Sequence, residues 1–137
     1  MATKVSFESP AALEHVRILQ GIISRMAHNS EFIKLVFTLM SVAAFIASVW
    51  EKEFPEALFV GVAGVLAFLD AYYLALERSF RAIHSNFCKN LQSERVSEDS
   101  IFYLIPHKPT IGKVLSAFLS PAVWPFYTAI TAFVVLS

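Results

Sequence analysis

Three stretches with little or no charge interrupt an otherwise polar sequence, and they predict where the chain crosses a membrane. They cover residues 35–50, 57–76 and 114–137. About 20 apolar residues at a helical rise of 1.5 Å cross the ~30 Å hydrocarbon core of a bilayer. With the preceding apolar residues included, the first stretch also reaches this length. We therefore expect three transmembrane helices, at about 32–50, 57–76 and 112–137.

A polar segment with helical periodicity precedes the first span. Ser9-Pro10 is typical of an N-cap followed by proline at the first helical position, which predicts a helix over residues 10–28. Its apolar residues recur at three- and four-residue intervals: Leu13, Val16, Leu19, Ile23, Met26 and Ala27. We expect an amphipathic cytosolic helix within residues 1–30, lying on the membrane surface or against a partner helix. Asn29 and Ser30 have the character of cap residues and predict a break before the first span.

The first two spans form a predicted transmembrane hairpin over residues 31–77, with a short polar tip that contains Pro55. The apolar period of the second span continues through Phe87 without Gly or Pro, so we expect this helix to extend into the cytosol as far as Leu91. Residues 78–111 thus form a cytosolic helix and loop. Pro121 and Pro125 predict a kink in the third span. The fold class is an all-α membrane protein.

Composition supports a membrane location. The chain has 137 residues, of which 56% are hydrophobic and 16% charged, and its mean hydropathy is +0.59. A soluble domain of this size buries too little surface to hide so much apolar material. The formal net charge is zero, which excludes a protein that binds polyanions through bulk charge.

The cationic residues define the predicted orientation. Ten of the eleven Lys and Arg residues lie before the first span or between the second and third, and only Lys52 lies at the hairpin tip. By the positive-inside rule, the N-terminus is cytoplasmic and the C-terminus is periplasmic.

Motifs for catalysis are missing from the sequence. There is no Walker loop, GxGxxG or GxSxG, the four histidines lack the spacing of a metal site, and Cys88 is the only cysteine. We expect a protein that is not an enzyme and that has no metal and no cofactor.

Asp70 is the acid whose position is least expected, because a charge inside a span is costly and is a functional-site hypothesis by default. Asp70, Glu77 and Arg81 share one helical face, and Glu77 and Arg81 are spaced for an i,i+4 ion pair. Two interpretations stay open: an ionic stripe that packs subunits together, or a ring of acids at the mouth of a cation-conducting pore.

Small and hydroxyl-bearing residues recur along the spans. Ala57, Gly61 and Gly64, and the series Ala63, Ala67 and Ala71, would permit close helix contact and favour a homo-oligomer. Two hydroxyl stripes could line a pore or bond back to their own helices: Thr38, Ser41 and Ser48 in the first span, and Ser116, Ser120, Tyr127 and Thr131 in the third.

Exposed cations on the cytosolic side are candidate ligand-binding residues. Arg17, Arg25, Arg78 and Arg81 lie near aromatic residues in the sequence, a combination suited to a nucleotide or a single-stranded nucleic acid. The alternative is positive-inside topology together with attraction to anionic lipid head groups.

Two longer segments and one short one resemble a known family. LQGIISRMAHNS at residues 19–30, followed by FIK at 32–34, and LDAYYLALERSFR at 69–81 are similar to small multi-span membrane effectors of bacterial anti-phage defence systems; PFY at 125–127 is a weaker match. The nearest groups are the transmembrane channel effectors of Hailong systems and the SLATT-type effectors.

The resemblance implies a tetrameric, ligand-gated ion channel in the bacterial inner membrane that causes abortive infection by depolarisation. Its ligand would be a single-stranded DNA oligomer made by a partner nucleotidyltransferase, or a nucleotide, that holds the channel closed or triggers it. Two other functions fit the predicted topology: a phage-type holin, and a non-conducting membrane anchor for a soluble enzyme complex.

Overall fold

A computed structural model describes residues 9–50, 55–93 and 109–136, and 91% of these residues are helical, with no strands. The predicted all-α class is therefore confirmed. The four helices are α1 (Pro10–Trp50), α2 (Glu56–Gln92), α3 (Ile111–Phe118) and α4 (Trp124–Leu136). Residues 51–54 of the predicted hairpin tip and residues 94–108 of the predicted cytosolic loop lie outside the described residues.

The first helix is continuous, and the predicted break at Asn29-Ser30 is wrong. Helix α1 runs for 41 residues from Pro10 to Trp50, across the expected boundary at residue 30. Its start agrees with the prediction, because the Ser9 hydroxyl accepts a hydrogen bond from the amide of Ala12 at 3.2 Å. Ser30 does not act as a helix cap, because its hydroxyl binds the Asp70 side chain on α2 instead of a backbone amide.

Helices α1 and α2 pack antiparallel along most of their length. The start of α1 contacts the end of α2, where Ala12 packs with Leu91. The second half of α1 contacts the start of α2, where the rings of Phe37 and Phe59 stack with 5.9 Å between their centroids. The surface that α2 buries is a stripe of alanines at four-residue intervals: Ala63, Ala67, Ala71 and Ala75, all at most 5% exposed. Alanine side chains let the helix backbones approach closely.

The N-terminal half of α1 packs against the extension of α2, which runs to Gln92, one residue beyond the predicted end. This helical segment was expected to lie on the membrane surface or against a partner helix. In the structure it lies against a helix of the same chain. The predicted apolar face is buried only in part, since Leu19 is fully buried and Leu13 is 55% exposed, while Ala12 and His15, which were outside the predicted face, are buried. The spacing of large apolar residues alone could not locate a buried face that is centred on a small residue and a histidine.

The third apolar segment is broken rather than kinked. Helix α3 ends at Phe118, a turn covers residues 119–123, and α4 begins at Trp124. Pro121 cannot donate the helical hydrogen bond to Ala117, and the Ser120 amide bonds to Ala117 at 3.1 Å in its place. Pro125 then lies in the first turn of α4, where proline is tolerated.

Two helices, α1 and α2, are long and apolar enough to cross a membrane. With 13 residues, α4 is about 20 Å long and too short to cross the hydrocarbon core by itself. The outward faces of the two long helices carry large apolar side chains that no other part of the described chain covers: Leu35, Leu39, Val42, Ile46, Val60, Val65 and Phe68.

The alanine stripe generates a stability prediction. Ala71 is completely buried between helices, so Ala71→Leu must push α1 and α2 apart, and we expect it to destabilise the fold by about 1–3 kcal/mol. Val65→Leu, at a position of the same helix that is 62% exposed, should change stability by less than about 0.5 kcal/mol. Thermal unfolding in mild detergent compares the two. Equal midpoints for both variants would contradict the packing described here.

Candidate functional site

Asp70 lies in a buried ionic contact between the two long helices. Its side chain is fully buried, its Oδ2 lies 2.7 Å from the Nζ of Lys34, and its Oδ1 accepts a hydrogen bond from the Ser30 hydroxyl. The Lys34 ammonium also donates to the Ser30 Oγ at 3.0 Å. The three side chains form a closed triangle, which we call the Lys34–Asp70 cluster.

The helices build this cluster through two simple spacings. Ser30 and Lys34 are four residues apart and therefore occupy the same face of α1, one above the other. On α2, Asp70 is next to Ala71 and three residues from Ala67, so the small side chains around it admit the α1 backbone. Lys34 is 27% exposed, which allows its aliphatic chain to lie along the helices while the ammonium reaches the carboxylate.

The third apolar segment closes the cluster from one side. Tyr127 of α4 is 4% exposed, and its buried hydroxyl lies near Asp70 but makes no hydrogen bond within the described residues. The Tyr127 ring also lies 4.8 Å from the ring of Phe37, one turn below Lys34 on α1. Side chains from α1, α2 and α4 therefore converge around a single carboxylate.

Glu77 and Arg81 form the predicted i,i+4 ion pair, with 2.6 Å between Oε1 and Nη2. The Glu77 side chain is 11% exposed and that of Arg81 is 64% exposed, so the pair borders on water. Asp70 does not join it, because Asp70 pairs with α1. The predicted face of three ionic residues thus divides into one buried contact and one surface contact.

The hydroxyl groups of the first span bond back to their own helix. Thr38 donates to the Lys34 carbonyl at 2.8 Å, Ser41 to Phe37 at 2.7 Å, and Ser48 to Phe45 at 2.8 Å. Of the two interpretations of this stripe, the described geometry is that of self-bonded hydroxyls.

The hydroxyl stripe predicted for the third span does not follow one helical sector. The break between α3 and α4 separates its members: Ser116 is exposed on α3, Ser120 is buried in the turn, and Thr131 is half-buried on α4. The prediction that these residues share one face of a single helix is therefore wrong, because it assumed an uninterrupted helix. A pore-lining role for Ser116, Ser120, Thr131 and Asp70 stays a prediction.

The four candidate ligand-binding arginines are exposed, as a charged ligand would require. Arg17 and Arg25 lie on the N-terminal half of α1, and Arg78 and Arg81 lie on the C-terminal half of α2. Arg81 binds Glu77, whereas Arg78 lies beside α3 in a groove shared with Lys113. The structure thus separates two arginines that are close in sequence.

Two histidines and a cysteine near the start of α1 and the end of α2 were missed by the sequence analysis as a group. His15 is 3% exposed, and its ring lies 4.3 Å from that of Phe87. Burial, and secondarily the charge of His84, lower the pKa of His15 below its ordinary value of 6.5. The Cys88 Sγ lies 4.0 Å from the His84 Nε2, and the i,i+4 spacing of these two residues was the available signal. Within the described ranges, no three His, Cys, Asp or Glu side chains are arranged to hold a metal ion.

Comparisons with protein-family models, curated proteins and solved structures give no match to this chain.

The Lys34–Asp70 cluster makes an asymmetric prediction. Lys34→Met leaves a buried carboxylate without its cation, and we expect a loss of about 3–5 kcal/mol in stability. Asp70→Asn should cost less, because Lys34 is partly exposed and its ammonium can turn toward water. The double variant Lys34→Met/Asp70→Asn should be more stable than Lys34→Met alone. Unfolding in mild detergent measures this cycle.

Glu77→Gln is the matched control for that cycle, because it removes a carboxylate from the more exposed ion pair and should cost no more than about 1 kcal/mol. Strict additivity of the two single changes would show that Lys34 and Asp70 do not interact.

His15 generates a pH prediction. Its pKa is lower in the folded protein than the unfolded value of 6.5, so the unfolded chain binds more protons below that pH. Stability should therefore be full above pH 6.5 and should decrease as the pH falls from 6.5 toward the folded pKa. His15→Phe keeps a ring against Phe87 and should reduce this pH dependence, whereas His28→Gln, at an exposed position, should retain it. Melting midpoints between pH 5 and 7.5 compare the variants, and an unchanged slope in His15→Phe would refute the assignment.

Proposed function

We propose that several copies of this chain form an ion channel in the bacterial inner membrane and act as an anti-phage defence effector that depolarises an infected cell. The observation that carries the proposal is the Lys34–Asp70 cluster, a buried ionic contact between two helices whose outward faces are apolar. Intramembrane ionic residues are expensive, and in membrane proteins they mark ion pathways and moving elements.

The membrane location is supported by the exposed surface of α1 and α2. In a soluble protein, helices this apolar would be mostly buried, but large apolar side chains cover the outside of both. We infer that α1 and α2 cross the bilayer and that α3, the turn and α4 together form the third crossing. The excess of Lys and Arg on one side of the proposed spans favours a cytoplasmic location for the N-terminus, the first part of α1 and the last part of α2.

Assembly follows from the number of spans. Three helices cannot enclose a water-filled path, so conduction requires an oligomer, for which the resemblance favours a tetramer. The alanine stripe is already used inside the protomer, whereas Gly61 and Gly64 are exposed, with no neighbouring atom within 4 Å of an added Cβ. The glycine face is therefore available for contact with a second copy.

The described conformation corresponds to a closed channel in this proposal. Asp70 is fully buried and is held by Ser30 and Lys34 of the same chain, so in this conformation its carboxylate is not free to meet an ion. A conducting state that used Asp70 and Glu77 to attract cations would first have to separate Asp70 from Lys34. The cluster would then serve as the contact that differs between the two states, which any ligand-gated equilibrium requires.

The continuous α1 offers a direct connection from a ligand to this contact. Arg25 and Lys34 are nine residues apart on one helix, or about 14 Å. A single-stranded oligonucleotide or a nucleotide from a partner nucleotidyltransferase, bound at Arg17 and Arg25 of several copies, would hold the helices of neighbouring subunits relative to one another. Such a ligand shifts the equilibrium only as far as its affinities for the two states differ.

Ion flux in liposomes tests the proposal. The full chain, purified in mild detergent and reconstituted, should form an oligomer and dissipate a potassium diffusion potential while retaining a large entrapped dye. A single-stranded oligonucleotide added at low salt should alter the flux, and this effect should vanish as salt rises because counterion release weakens binding. Arg17→Glu/Arg25→Glu should remove the oligonucleotide effect without removing the flux, and Lys89→Glu, an exposed cation on α2, is the matched control.

The alternative functions give different results in the same assay. Release of the large dye together with ions would favour a holin, and an oligomer without any flux would favour an anchor subunit. Protomers of 15 kDa alone, at high protein concentration, would contradict the channel.

A further inference from the structure

A groove of about 370 Å³ lies between the cytosolic extension of α2 and the beginning of α3. Its lining combines two cations and two hydroxyl side chains with small residues: Arg78, Lys113, Ser79, Ser116, Ala75, Ala82 and Gly112. No acidic side chain lines it, and within the described residues neither Arg78 nor Lys113 forms an ion pair. Glu77, the acid next to Arg78 in the chain, is bound to Arg81.

The groove is therefore a concave positive surface with hydroxyl groups, which is suited to an anionic oxygen ligand such as a phosphate ester. Helix α3 contributes a further feature, because it begins at Ile111 and the amides of Ile111 and Gly112 precede its first hydrogen bonds, in which Lys113 and Val114 donate to the Thr110 carbonyl at 2.8 and 3.2 Å. Those amides lie on the turn that carries Gly112 and Lys113, and the helix dipole adds to the positive potential there.

The position of the groove relative to the proposed spans indicates the source of its ligand. Arg78 follows the second apolar stretch, and Lys113 immediately precedes the third, so the groove lies where two proposed spans meet the cytoplasmic surface. Phosphate groups of the inner leaflet lie at this level. On the other face of α3 is an apolar groove of about 420 Å³, lined in part by Phe68, Tyr72, Ile111 and Leu115, which would contact lipid chains.

We propose that the groove between α2 and α3 binds the phosphate headgroup of an anionic phospholipid from the cytoplasmic leaflet. Arg78 and Lys113 pair with the phosphate, and Ser116 supplies a neutral donor, whereas the Ser79 hydroxyl donates to the Ala75 carbonyl at 3.0 Å. The inference rests on the membrane location proposed above but not on conduction. Arg78 is then occupied by lipid, which leaves Arg17, Arg25 and Arg81 for a cytosolic ligand.

Native mass spectrometry of the full chain in mild detergent tests the site, with phosphatidylglycerol as the probe and phosphatidylcholine as the zwitterionic comparison. Phosphatidylglycerol should bind with the higher affinity. Arg78→Gln should weaken its binding about 5-fold, and Arg78→Gln/Lys113→Gln about 30-fold, since each cation near a membrane surface contributes a similar increment.

Lys89→Gln is the matched charge control. Lys89 is an exposed cation on the same helix, eleven residues beyond Arg78 or about 17 Å farther into the cytosol, a distance greater than the Debye length at physiological salt. It should change the affinity less than 2-fold. Gly112→Leu tests the shape of the site without changing its charge, because the position has no atom within 4 Å of an added Cβ and the larger side chain would enter the groove.

Each outcome decides the question. Weakening by Arg78→Gln and Gly112→Leu but not by Lys89→Gln supports the site, and helical circular dichroism confirms that each variant is folded. An equal effect of Lys89→Gln, or full binding by Gly112→Leu, overturns it. Displacement of the lipid by millimolar glycerol phosphate or inorganic phosphate would assign the groove to a soluble phosphate compound and overturn the lipid assignment. A chain absent from the membrane fraction would instead refute the membrane location, so the two failures are distinguishable.

Discussion

The buried ion pair between Lys34 and Asp70 is the contact on which the arrangement of α1, α2 and α4 depends. Opposite charges at 2.7 Å attract strongly in a medium of low dielectric constant, but removing either charge from water has a cost of similar size. Such a pair therefore adds little net stability over a well-packed apolar contact. Its effect is that Asp70, which is fully buried, cannot lose Lys34 without a large penalty, and Ser30 binds the same carboxylate.

The sequence predicted the helical class and the long apolar segments because these depend on local periodicity and on length. It failed at Ser30, where a residue typical of helix caps makes a tertiary contact, and the distance of 40 residues to Asp70 hides that contact from any local pattern. Lys34 was counted only as a marker of orientation for the same reason. The break before α4 was underestimated, because two prolines four residues apart predict a disturbed helix but not whether the helix bends or ends.

At the candidate site, the sequence identified individual residues better than their partners. Asp70, Glu77 and Arg81 were recognised from charge inside or beside a span, and the Glu77–Arg81 pair followed from helical spacing. The groove at Arg78 could not be predicted, because it requires that α3 lie against α2 and that Lys113 face Arg78 across a gap of more than 30 residues. His15 was considered only as one of four histidines without metal-site spacing, and its burial against Phe87 appears only in the structure.

The register of the two long helices explains why an ionic contact is useful in an otherwise apolar interface. The alanine stripe repeats every four residues from Ala63 to Ala71, so a slip of one repeat, about 6 Å, would exchange one buried alanine for the next. The environment of Leu and Val on the outward faces would be equally apolar before and after such a slip. Asp70 occurs once, and the slip would move it away from Lys34 and Ser30 toward apolar surroundings such as Phe37, at the cost of an unpaired buried charge. The ion pair thus selects one register among several that packing alone would accept, which is the role best established for buried polar groups in helical assemblies.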